Sequence, residues 1–179
     1  MLQGLIRMRK GKSPTHTKKA SPEGTQADAT RQLDSFLAKY TPEIEAAARR
    51  ALAKMRRLVP GAIEMVYDNY NWLVIGFCPS ERPSEAIFSI VLPPSHVTLC
   101  FLQGAGLPDP AGLLQGSGNV VRNIRLYTSG AVDAKVLDPE VLSLINVALN
   151  RAKVPMPARQ RRKMIIRAVA KRQRPRRKG

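Results

Sequence analysis

Large apolar side chains along this chain change their spacing as the sequence proceeds, and the changes mark out its elements. Leu33, Phe36, Leu37 and Tyr40 recur at helical steps and predict a short first helix. Thr41-Pro42 then supplies an N-cap and a proline at the first helical position, where a missing N–H costs nothing. Ile44, Ala47, Ala48, Ala51, Leu52, Met55, Leu58 and Val59 form one stripe, which predicts a helix from Pro42 to Val59. Glu43 and Glu45 near its start and Arg56 and Arg57 near its end suit the helix dipole, and Pro60-Gly61 stops it.

The pattern then becomes that of strands. Ile63–Tyr67 and Trp72–Phe77 flank Asp68-Asn69-Tyr70-Asn71, residues with hairpin-turn chemistry. Ile87–Leu92 and Val97–Leu102 flank Pro93-Pro94-Ser95-His96 as a second pair, with the polar loop 79–84 between the pairs. A long Gly/Pro-rich connection, 104–118, leads to a fifth strand at Val120–Tyr127. Asp138-Pro139-Glu140 repeats the cap-proline-acid signal. Val141, Leu144, Ile145, Ala148, Leu149 and Ala152 follow at helical spacing and predict a helix ending before Pro155. After Pro157, Met164, Ile165, Ala168 and Val169 fit a last, basic helix near 159–170. Residues 9–30 contain almost nothing large and apolar and are expected to be disordered. The division is a leader at 1–30, an α+β domain at 31–157 and a basic helix and tail at 158–179, with the helix either docked on the domain as part of it or standing free. The expected fold is an antiparallel sheet of about five strands with N- and C-terminal helices packed on one face.

Charge sharpens this division. The net charge is +17, yet residues 31–150 hold 11 Lys/Arg against 11 Asp/Glu. Residues 151–179 hold 13 Lys/Arg and no acid at all. The expectation is a neutral domain with cationic ends that associate with nucleic acid or another polyanion in a salt-sensitive way. The contacts would come from Arg161, Arg162, Lys163, Arg167, Lys171, Arg172, Arg174, Arg176, Arg177 and Lys178. No aromatic residue lies in 151–179, so stacking on single-stranded bases is not expected. A hydrophobic content of 44% excludes global disorder. Cys78 and Cys100 lack metal or redox spacing and are expected in the core, consistent with a cytoplasmic protein. No run is long enough to predict a transmembrane span.

Candidate chemistry is sparse. Asp68, Asn69, Tyr70 and Asn71 form the most polar cluster beside apolar strands. They suit either a small polar ligand or metal or the turn itself, and the neighbouring Trp72 either lines that ligand site or packs in the core, the commoner place for a tryptophan at a strand start. The glycine-rich connection leads to Arg122 and Arg125, which with backbone N–H groups form a candidate anion site. It lacks the third glycine of a dinucleotide fingerprint and the Lys-Ser/Thr of a P-loop. His96 is the sole histidine of the expected domain and has no metal-ligand partner nearby. Ser, His and Asp are present without nucleophile-elbow spacing, so no catalytic residue, enzymatic activity or cofactor is assigned.

Six stretches, taken together, carry a resemblance. They are Tyr67-Asp68-Asn69-Tyr70-Asn71, Arg82–Ser89, Phe101-Leu102-Gln103-Gly104-Ala105, Leu107-Pro108-Asp109-Pro110, Leu114-Gln115-Gly116-Ser117-Gly118 and Arg122-Asn123-Ile124-Arg125-Leu126. In order and spacing they resemble the YdhG-like bacterial family over roughly residues 33–170. That resemblance implies a small cytoplasmic protein of largely unknown function with a frataxin-like arrangement, for which intracellular iron delivery has been suggested. Glu64 and Asp68 would be the metal-binding carboxylates on that alternative. The Pro42–Val59 helix argues the other way: Arg49, Arg50, Lys54, Arg56 and Arg57 outnumber Glu43 and Glu45.

Overall fold

The computed structural model describes residues 25–128 and 138–177. The expected leader up to residue 24, and Lys178, lie outside the described residues. The architecture is α+β, with a six-stranded mixed sheet and three helices.

Helix α1 spans Gln26–Leu37 and begins earlier than its apolar stripe suggests. Thr25 Oγ1 accepts from the Asp28 N–H at 3.2 Å, and Asp28 Oδ2 accepts from the Thr25 N–H at 2.9 Å, a reciprocal capping box. Residues 25–30, expected in the leader, therefore belong to the fold. Helix α2 spans Pro42–Leu58 and is capped by Thr41 as expected. Strands β1 (Ile63–Asp68), β2 (Leu73–Cys78), β3 (Phe88–Leu92), β4 (His96–Phe101) and β5 (Arg122–Thr128) form an antiparallel meander. Helix α3 spans Pro139–Arg151.

The chain then departs from expectation. Residues Lys163–Val169 form β6, a strand that pairs parallel with β1, so the sheet order is β5-β4-β3-β2-β1-β6. The sheet is thus neither five-stranded nor wholly antiparallel, and the helix expected at 159–170 is absent. Met164, Ile165, Ile166 and Val169 make a short apolar run that fits both a helix and a strand. The unpaired edge of β1 decides between them. It offers backbone donors and acceptors that a buried chain must satisfy, and β-branched Ile165 and Ile166 pack, one on each face of the pleated surface.

Cross-strand register places the core. Ile166, Val66, Ile75, Ile90, Leu99 and Ile124 line up as one row across all six strands. Phe77, Phe88 and Phe101 form the next row, with Phe88 and Phe101 edge to face at 5.6 Å. Apolar residues of all three helices close over this face in one cluster, among them Phe36 and Leu37 of α1, Leu52 and Met55 of α2, and Leu144 and Ile145 of α3. Strand periodicity puts Glu64 and Asp68 on the same face as Val66, Glu64 in the phenylalanine row and Asp68 in the row on the other side of Val66. Glu64 pairs across to Phe77 and Asp68 to Leu73.

Candidate functional site

Two carboxylates inside the apolar layer organise everything around them. Glu64 is 2% exposed and Asp68 1%. An ionised group taken that far from water requires a partner, since an unpaired charge there costs several kcal/mol. Each has two. Arg56 of α2 grips Glu64 with both forks, Nε to Oε1 at 2.9 Å and Nη2 to Oε2 at 2.6 Å, and Arg162 Nε adds a contact at 3.0 Å. Lys39, from the turn after α1, reaches Asp68 Oδ2 at 2.6 Å, and Arg176 Nη2 reaches Oδ1 at 2.9 Å. One cation of each pair comes from α1–α2 and the other from the basic C-terminal segment. The two acids therefore latch that segment to the body at both ends of β6.

Glu64 and Asp68, the alternative metal pair, do not converge on a common point. They stand about 13 Å apart along β1 at ~3.3 Å per residue, each facing its own cations. No group of three or more His, Cys, Asp or Glu among the described residues could hold a metal ion.

The Asp68–Trp72 turn does receive a polymer: the chain's own tail. Asn69 N–H donates to the Trp72 carbonyl at 3.0 Å, closing the hairpin. Ala170 N–H donates to the Asp68 carbonyl at 2.8 Å and Arg174 N–H to the Tyr70 carbonyl at 2.9 Å. Gln173 Nε2 also donates to the Asp68 carbonyl, while its Oε1 accepts from Lys39 Nζ at 2.8 Å. Arg176, itself buried at 4% exposure, donates to the Asn69 carbonyl as well as to Asp68. Arg177 donates to the carbonyls of Tyr40 and Ala38, each at 3.0 Å. Tyr40 lies beneath, fully buried. Its hydroxyl donates to the Leu92 carbonyl at 2.7 Å and accepts from the Leu73 N–H at 3.1 Å. Burial pushes this phenol up to about 12, against the hydrogen bond from Leu73 and the nearby Arg176 charge, which favour ionisation.

Only Asp68 of the turn is buried; Asn69, Tyr70, Asn71 and Trp72 are exposed. Tyr70 is 50% exposed and Trp72 46%, so Trp72 is not the core residue expected. Arg174 holds its guanidinium 5.5 Å from the centre of the Tyr70 ring.

The glycine-rich connection is ordered by its own side chains. Asp109 carboxylate oxygens accept from the Leu113 and Leu114 N–H groups at 2.9 and 2.7 Å. Gln115 pairs with Asn123 beside β5. Gly104 is required for close approach, because a Cβ there would lie 2.7 Å from that of Arg122. Arg122 donates to the carbonyls of Gly118 and Val121, and Arg151 to that of Gly106 at 2.7 Å. The Arg122 guanidinium is thus bound to its own loop. Arg125 is exposed on β5, paired across to Thr98.

The basic segment splits into two groups. Arg162 and Arg176 hold buried acids, and Lys163 pairs with Glu81. Arg167 donates to the Glu81 carbonyl at 2.9 Å. Arg159, Arg161, Lys171 and Arg172 are exposed and enter no ion pair among the described residues. A cleft of about 1110 Å³ runs between α1 and β6, with Arg31, Arg161, Arg162 and Arg167 on its walls. Cys78 is buried and Cys100 partly so, both reduced, and burial raises each thiol to about 11. No helix among the described residues is long and apolar enough to cross a membrane.

Lys39, Tyr40 and Gln173 were not legible as partners of the tail. The one available signal was the alternation Glu64-Val66-Asp68, which puts two acids in register with a core residue. Comparison of the chain with family models, curated proteins and solved structures gave no match.

Proposed function

We propose that this protein is a non-enzymatic binding module that associates with nucleic acid through its basic C-terminal surface. One observation carries the reading. Arg159, Arg161, Lys171, Arg172 and Arg174 are exposed on a stretch held in place by β6 and by the Asp68 and Tyr70 contacts, in a segment without a single acid. Guanidinium and ammonium groups displayed on an ordered backbone meet phosphates with less loss of chain entropy than those on a loose tail. Each phosphate neutralised releases counterions, which gives the association its salt dependence. Arg162, Lys163 and Arg176 are engaged internally and stand outside the proposed contact set.

The test is charge removal that spares the fold. Deleting 159–179 would remove β6 with the charges, so Arg159, Arg161, Lys171 and Arg172 are instead changed together to Gln. Duplex DNA binding by the unaltered chain should weaken with salt, with a log–log slope near −0.9 per phosphate contact. The fourfold variant should lose up to about 3 to 4 from that slope. Binding that ignores salt, or that survives the four changes intact, refutes the proposal.

A further inference from the structure

We infer that the β1–β2 hairpin tip is a stacking site for the bases of single-stranded nucleic acid, a reading that rests on the proposed function and narrows its partner. The chain has nine aromatic residues (one Trp, four Tyr, four Phe), all within the described residues. Seven of them are buried or half-buried. The two exposed ones, Tyr70 and Trp72, occur in the same turn. An open indole and an open phenol cost hydrophobic stabilisation, and the turn's backbone geometry does not require them, since Asn69 closes it through main-chain atoms.

The surroundings supply the rest of a strand-binding platform. The tail crosses the turn, fixed by the Arg174 N–H on the Tyr70 carbonyl at 2.9 Å and by Arg176 on the Asn69 carbonyl. Arg174 is thereby set over the Tyr70 ring, and Lys171 and Arg172 stand exposed just before it. The one acid of the turn, Asp68, is buried and neutralised by Lys39 and Arg176, so it does not repel phosphate. Aromatic faces beside fixed cations match alternating bases and phosphates, and every base has a face to stack. Duplex DNA hides those faces and would meet only the charges. Residues 151–179 hold no aromatic side chain of their own, but the tertiary fold brings the Tyr70 ring to that segment.

Trp72 is the only tryptophan, so its emission reports the site directly. The full chain is titrated with a 20-mer of deoxythymidine (dT20) and with a duplex of equal length at low salt. Single strand should quench Trp72 and bind more tightly than duplex. Tyr70→Ala and Trp72→Ala, followed by anisotropy of labelled oligonucleotide, should each weaken single-strand binding roughly 5- to 150-fold while leaving duplex binding unchanged. Both side chains are exposed, so neither change should lower the unfolding temperature. Equal binding of both forms without quenching, or single-strand affinity indifferent to both substitutions, overturns the inference and leaves the proposed function standing. Failure to bind either form removes both. Quenching by phosphatidylserine vesicles but not by dT20 would overturn it in favour of a lipid surface.

Discussion

Replacing Asp68 tests how far the tail belongs to the core. Asp68→Ala removes a carboxylate that is 1% exposed and leaves the Arg176 side chain, 2% exposed, without its anion, on the Asn69 carbonyl and over the Tyr40 ring. Breaking a buried pair from one side costs about 3–5 kcal/mol, because the remaining charge stays buried. Arg176→Met should cost less, about 1–3 kcal/mol, since Lys39 still neutralises Asp68 at 2.6 Å. Arg176 already holds Nε and Nη1 buried without a partner among the described residues, a desolvation cost that methionine does not carry. The double variant removes both charges, so its loss should fall short of the sum by about 2 kcal/mol. Urea unfolding followed by circular dichroism measures each value, with an unchanged m-value as the check on two-state behaviour. In a thermal scan Asp68→Ala should melt roughly 6–20 °C lower. Additivity within about 0.5 kcal/mol, or a loss below about 1 kcal/mol for Asp68→Ala, would show that the two side chains do not form a buried pair.

Two further outcomes follow from the same geometry. Tyr40 and the cysteines have folded-state pKa values raised by burial, to about 12 from 10.0 for Tyr40 and to about 11 from 9.0 for Cys78 and Cys100. Each is neutral when protonated, so its contribution is complete below the unfolded value and is lost as pH rises to the folded one. Stability should fall from pH 9 to 12, with Tyr40 accounting for about 3 kcal/mol above pH 10; an identical decline in Tyr40→Phe would sink the assignment. Gly61→Ala should destabilise by about 1–3 kcal/mol in the same urea assay, because the new methyl would collide with the Pro157 carbonyl, and neither backbone can yield cheaply. An unaltered midpoint would mean that the 152–162 segment does not pass over Gly61.

Local chemistry was enough to specify α2 and α3 and the meander from β1 to β5. Caps, prolines and apolar periods act within a few residues, so they can be read from the chain without knowing its neighbours. Thr25-x-x-Asp28 carried the start of α1 in the same way, but the absence of large apolar residues at 25–30 obscured it. The clustering of positive charge at 151–179 was equally plain.

Whether residues 163–169 coil or extend was not a local question. Met164 to Val169 satisfies either period. The outcome rests on an unpaired β1 edge about a hundred residues earlier and on Glu64 and Asp68, buried where only distant cations can neutralise them. The same docking sets Arg174 over Tyr70, and both Tyr70 and Trp72 stand exposed rather than in the core. A sequence displays which residues prefer water and which helix or strand period they follow. Which unpaired backbone edge and which buried charge a remote segment will complete depends on distances that exist only once the chain has closed on itself.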